Sequence, residues 1–137
     1  MDALLDSFLI GMPVLVTHFL AAVGIFVVGV AIYSAVTPFH ELELIRKGNV
    51  AAGVSAAGAT LGLALPITGA LAGSVNLADL AIWSTLALVI QLLTFAIVAL
   101  IIRRQVDSIT KGELASALLL ASVQIAVGLI NAAAVRG

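Results

Sequence analysis

Four apolar stretches, free of acidic residues, lysine and arginine, run from Asp6 to Glu41, Lys47 to Asp79, Asp79 to Arg103 and Glu113 to Arg136. Each exceeds the about 20 residues that a helix needs to cross roughly 30 Å of hydrocarbon. Backbone amides in lipid must find their partners within the segment, so the stretches predict helices rather than open strands. The expected spans are near 14–36, 50–72, 80–102 and 114–135, giving an all-α membrane protein of four transmembrane helices.

The polar breaks carry helix signals. Thr37-Pro38 reads as an N-cap followed by proline at the first helical position, opening a short helix through Glu41 and Glu43 that stops before Gly48. Glu43 and Lys47 stand four apart on it, a spacing that favours an ion pair. Asn76, with Asp79 three positions on, fits the cap of the third span. Pro13 is expected to separate the first span from an N-terminal segment lying on the membrane surface.

Shifting the chain against itself by 64 positions places Glu43-Leu44-Ile45-Arg46-Lys47-Gly48 over Asp107-Ser108-Ile109-Thr110-Lys111-Gly112. An acid, an Ile, a Lys and a Gly coincide, and the match continues at Ala51 with Ala115, Ala57 with Ala121 and Leu65 with Leu129. The chain therefore reads as one membrane domain of two hairpin repeats, 1–73 and 74–137, related by an axis along the membrane normal. In each repeat the Gly frees the backbone to turn left-handed between helices. Glu43, Lys47, Gly48, Asp107, Lys111 and Gly112 form the repeated bend motif.

Composition agrees with lipid as the main solvent. Of 137 residues, 63% are hydrophobic and 9% charged, against roughly 25% charged in soluble domains. A net charge of −1 offers no basic field for nucleic acid. The absence of cysteine excludes disulfides, thiolate nucleophiles and thiolate metal sites. The acidic opening Met1-Asp2-Ala3-Leu4-Leu5-Asp6 lacks the basic flank of a secretory signal, so the first apolar stretch is expected to stay in the mature protein. Five of the six basic residues, Arg46, Lys47, Arg103, Arg104 and Lys111, sit in the two bends. Basic loops face the cytoplasm, which puts both termini outside. Trp83 and Tyr33 suit aromatic belts at the two interfaces.

Candidate chemistry is sparse. No ionisable residue is expected at mid-bilayer, where such groups mark proton relays and ion pathways. Thr60, Gln91 and Gln124 each lie about ten residues from a span end, so at 1.5 Å per residue they share one depth, and Thr94 lies one turn from Gln91. This layer reads either as interhelical glue or as a polar constriction in an oligomer. Gly58, Gly62 and Gly69, with Gly53, Ala57 and Gly73, make the second span a small-residue packing helix. Ala117-x-x-x-Ala121 and Ser122-x-x-x-Ala126 offer similar faces on the fourth. Such faces suit both the hairpin itself and a homo-oligomer. Pro66 leaves the Gly62 carbonyl without its helical donor and predicts a kink. His18 and His40 belong to opposite membrane faces and cannot share a metal. No Ser, His and acid set forms a triad, and no cofactor is expected.

The run from Glu41 through Lys47-Gly48-Asn49-Val50-Ala51-Ala52-Gly53, followed by Gly62-Leu-Ala-Leu-Pro66-Ile-Thr-Gly69, resembles the YjfL-like family of small bacterial inner-membrane proteins of unknown function. The resemblance covers essentially the whole chain; the second copy, Asp107 to Ala117, is more degenerate. It implies a paired hairpin unit in the inner membrane, brings no enzymatic activity or cofactor, and points to a cytoplasmic envelope-stress partner. Together these features describe a homo-oligomeric scaffold embedded in the lipid bilayer, with an oligomeric channel or facilitator for a small solute or ion as the alternative. An enzyme is the weakest reading.

Overall fold

The structure is a computed structural model that describes the whole chain except Pro38, Phe39 and the side chain of Gln105. It is helical, with no strand among the described residues. Four long helices, α1 (Asp2–Val36), α3 (Val50–Gly73), α4 (Leu77–Ile101) and α6 (Leu114–Arg136), have the length and apolarity to cross a membrane. Two short helices, α2 (Glu41–Arg46) and α5 (Arg103–Thr110), fill the polar breaks before α3 and α6.

Helix α1 corrects the expectation at Pro13. It is unbroken from Asp2 to Val36, with Pro13 inside it. Proline removes one donor, from the Leu9 carbonyl, whereas the apolar residues on both sides gain nothing by leaving the helix. Its 35 residues would span about 52 Å at 1.5 Å per residue, so α1 outreaches or tilts across a hydrocarbon layer of roughly 30 Å. Its N-terminal half is largely exposed, Leu4, Leu9, Leu15 and Phe19 included.

Thr37 ends α1 rather than opening α2; its hydroxyl donates to the Tyr33 carbonyl at 2.6 Å. Helix α2 begins at Glu41, with His40 in the N-cap position, and the expected role of Pro38 lies outside the described residues. At the other end of the bundle, the Asn76 side chain accepts from the Asp79 amide at 2.9 Å, and Asp79 accepts from the Val75 amide at 3.1 Å. This reciprocal cap starts α4 one short turn after α3 ends.

Helix α3 is the centre. Half of its apolar window is buried, against 11% for α1, and its most extensive interface is with α6. The two run in the same direction, because paired residue numbers rise together: Gly58 meets Ala121, Gly69 meets Ala132 and Gly73 approaches Arg136, each pair 63 apart. A Cβ added at Gly69 would lie 2.5 Å from the Ala132 carbonyl oxygen, and one at Gly62 would lie 2.7 Å from that of Gln124. The helices therefore touch backbone to backbone, which only small residues permit. A Cβ on Gly128 would fall 2.7 Å from the Gly62 oxygen. Gly128 thus presents its Cα hydrogens to the carbonyl that Pro66 deprives of a helical donor, a weak bond of the Cα–H···O kind. On α6 the contact face is Ala117, Ala121, Gln124, Gly128 and Asn131. Ser122 and Ala126, expected to pack, face outward, and the Ser122 hydroxyl bonds the Leu118 carbonyl.

Helices α1 and α4 flank this pair and touch each other, with Gly29 of α1 admitting the Leu88 side chain of α4. At the end holding α2 and α5, both bends share one apolar cluster of Ala51, Ala52, Ile109, Ala117 and Leu120. Both turn through a glycine of positive φ, Gly48 at 85° and Gly112 at 88°. The hydrogen bonds of the two bends coincide. Gly48 N–H donates to Ile45 and Asn49 N–H to Leu44, each at 2.9 Å. Gly112 N–H donates to Ile109 at 2.9 Å and Glu113 N–H to Ser108 at 3.0 Å.

Candidate functional site

Two clusters of buried polar side chains occupy different depths of the bundle. The first lies at the bend end. Thr37 stops α1 and the chain returns through α2, which turns the Glu41 side chain inward until the residue is only 9% exposed. Its Oε1 accepts two hydrogen bonds, from the Tyr33 hydroxyl of α1 at 2.9 Å and from the Ser55 hydroxyl of α3 at 3.1 Å. Tyr33 is itself buried and stands edge-on to Phe95 of α4, with ring centroids 5.9 Å apart, so it does not face an interfacial belt. No cation pairs with Glu41 among the described residues. Burial raises its carboxyl above the ordinary 4.5, and the two hydroxyl donors only partly offset this. A cavity of about 480 Å³ opens beside it, walled by Val30, Ala56 and Leu63 and rimmed by His40 and Arg46.

Glu43, also on the edge of this cavity, behaves differently. Fully exposed, it pairs with Lys47 at 2.6 Å, and that lysine holds its carboxyl below the usual value. Solvent screens an exposed pair of this kind, so it adds little to stability. The repeated motif also joins the two bends. Asn49 accepts from the Ala52 amide as cap of α3, while its Nδ2 donates to the Ile109 and Thr110 carbonyls at 3.1 and 3.3 Å. Asp107 and Lys111 form no ion pair among the described residues. Gly112 closes their bend.

The second cluster lies between α4 and α6. Gln91 Nε2 donates to the Gln124 backbone carbonyl at 3.2 Å, and Asn131 Nδ2 donates to the Ala87 carbonyl at 2.9 Å and to Gln91 Oε1 at 3.2 Å. Of the four residues placed in one layer from the sequence, the structure brings Gln91 and Gln124 together. Thr60 bonds the Ala56 and Ala57 carbonyls of its own helix, and Thr94 bonds Ile90. Asn131 escaped the sequence reading because it lies only four residues from the end of the expected span, 114–135. Gln124 Oε1 and Ser84 Oγ are buried without a partner among the described residues. His18 turns its Nδ1 to the Val14 carbonyl at 2.8 Å, within its own helix. No group of three or more His, Cys, Asp or Glu able to hold a metal occurs among the described residues.

Four apolar helices, two of them a glycine-rich parallel pair, with Gln91, Gln124 and Asn131 buried between them, define a multi-pass helical membrane protein. The comparisons sharpen that class. Residues 5–135 match the family described as Domain of Unknown Function (DUF350), and the chain belongs to it. It is 34% identical over 116 residues to the UPF0719 inner membrane protein YjfL of Escherichia coli strain K12, covering 85% of this chain and 88% of that protein. YjfL of Escherichia coli O157:H7 matches to the same extent. The resemblance read from the Lys-Gly-Asn and Gly-x-x-x-Pro elements is therefore borne out, and inner-membrane residence with it. No solved structure matches.

Proposed function

We propose that this protein is a non-enzymatic, homo-oligomeric scaffold of the bacterial inner membrane, built from two tandem hairpins, residues 1–73 and 74–137. In this reading both bends face the cytoplasm, both termini lie outside, and the basic bends recruit a cytoplasmic partner in envelope maintenance. The observation that carries it is how the deep polar groups are used: the Gln91 and Asn131 amides bond internal backbone carbonyls, holding α4 to α6 as glue does. The backbone contact of α3 with α6 supports a rigid core in the same sense. The tandem reading is supported by the equal bends at Gly48 and Gly112, and the orientation by the five basic residues they carry.

Replacing Lys47 and Lys111 together by glutamate is expected to abolish co-purification of the partner while the helical fold persists. Unchanged co-purification would remove the scaffold reading. Cysteine labelling at positions 47 and 111 tests the topology separately, with both expected to be reached from the cytoplasm.

One observation favours the alternative of an oligomeric channel for a small solute or ion: Gln124 Oε1 and Ser84 Oγ are buried and unpartnered, so polar capacity remains between the helices. Replacing Gln91 and Gln124 by leucine would stop flux in proteoliposomes under that reading; wild-type vesicles without flux would end it.

A further inference from the structure

We propose that the cavity beside Glu41 is a binding site for an aminophospholipid of the adjoining leaflet, with the lipid ammonium on the Glu41 carboxylate and its phosphate at Arg46. The inference needs the chain to lie in a bilayer but does not depend on the scaffold reading.

The site is built around one charged group. Glu41 is more than nine-tenths buried, and both neighbouring hydroxyls, Tyr33 and Ser55, donate to the same oxygen. Its Oε2 has no hydrogen bond among the described residues, and the side chain lines the cavity. A desolvated carboxylate needs either a proton or a cation. No side-chain cation pairs with it among the described residues, which leaves a proton or a ligand's cation, and the cavity on which the side chain borders gives a ligand access.

The walls decide which cation. Val30 and Leu63 belong to α1 and α3, the lipid-embedded helices, while Ala56 and Thr60 are half-buried on the open side. An ammonium that reaches Glu41 must therefore carry an apolar body along these walls. About 480 Å³ lies within the roughly 300–1,000 Å³ of ordinary ligand sites. Arg46, on the rim with an exposed side chain, supplies the donors that a phosphate takes. A zwitterionic amine lipid matches Glu41 at the floor and Arg46 at the rim, where the second acid, Glu43, is already paired with Lys47, with apolar walls toward the bilayer. A primary ammonium donates hydrogen bonds to Oε2; a quaternary choline cannot, and a glycerol headgroup brings no cation.

The test is native mass spectrometry of the full chain in detergent, titrated with phosphatidylethanolamine, phosphatidylcholine and phosphatidylglycerol of identical acyl chains. A charge-assisted hydrogen bond predicts about tenfold stronger retention of the ethanolamine lipid over the choline lipid. Glu41→Gln, which still accepts from Tyr33 and Ser55, is expected to erase that preference, and Arg46→Ala to weaken all three lipids alike. Ala56→Phe fills the cavity without touching the carboxylate and should lower retention with helical content unchanged, which keeps the test open if Glu41→Gln misfolds. Wild-type protein that does not separate ethanolamine from choline lipid overturns the proposal, as does a Glu41→Gln variant that keeps the preference. Soluble glycerophosphoethanolamine competing as well as the lipid would assign the site to a soluble amine and overturn it equally.

Discussion

The first and second halves of the chain bend alike and then diverge. Gly48 and Gly112 take nearly the same φ and close the same hydrogen bonds, yet the buried polar groups around the halves do not correspond. Sixty-four positions beyond Tyr33 and Ser55 stand Ile97 and Leu119, 56% and 49% exposed. The polar latch on Glu41 thus has no counterpart at those positions in the second half. Conversely, the positions that precede Gln91 and Asn131 by 64 are Val27 and Ile67. A bend needs only a glycine and a few backbone bonds, so it tolerates divergence around it. Buried polar groups need several partners at once, so each half keeps its own set.

The largest test breaks what the halves share, the α3–α6 contact. Gly58→Leu must push its side chain into the Ala121 backbone and Gly62→Leu into that of Gln124. Overpacking with no flexible neighbour costs about 3 kcal/mol, and loss of folded protein in a thermal size-exclusion assay is the expected outcome. Gly53→Leu on the same helix meets nothing within 4 Å and should stay within about 0.5 kcal/mol of wild type. If the two classes behaved alike, the interface would not be the core.

Next comes the cluster peculiar to the second half. Asn131→Leu removes the second bond to the Ala87 carbonyl and leaves Gln91 Oε1 without a donor, for a loss of about 1–2 kcal/mol. Ile67→Asn, which installs the amide at the matching point of the first half among apolar neighbours, should not recover it. Steric trapping or denaturant unfolding in micelles reads both.

A smaller effect sharpens the likeness. Gly48→Ala and Gly112→Ala each force an alanine to positive φ, costing about 1 kcal/mol, and the two losses should agree within error. Unequal losses would show that one bend bears strain the other does not.

What the sequence made legible follows from the range of the forces involved. The spans, the bends and the small-residue stripe depend on composition within one helix or on a six-residue motif; the structure contains four long apolar helices, both bends and close contacts at Gly58, Gly62 and Gly69, while Gly53 and Ala57 stay outside the interface. Pro13 misled because a helix boundary was read from a residue type, whereas in lipid the surrounding apolar run decides. Glu41 lies in the expected short helix between two spans, and nothing in the sequence marks it as buried. Its burial depends on α2 folding back so that residues 8 and 14 positions away meet one oxygen, a geometry without a period or a motif. Gln91 and Gln124 were matched by depth alone. Depth cannot tell that Thr60 turns to its own helix and Asn131 completes the set.

The smallest effect separates the two short helices by pH. Burial raises the Glu41 carboxyl above 4.5, so the folded latch binds its proton more tightly than the unfolded chain does. Its contribution is therefore complete below about pH 4.5 and is lost as pH rises through the raised value. The groups facing it are Tyr33 from α1 and His40, Glu43 and Arg46 at α2; α3 brings no ionisable residue. Intrinsic-rate-corrected amide exchange in lipid-free micelles should show α2 loosening between acid and neutral pH while α5 changes less. Glu41→Gln should flatten the α2 profile and His40→Gln leave it sloping. A profile that follows His40 instead would move the switch from the buried carboxyl to the imidazole and leave the first half without a latch of its own.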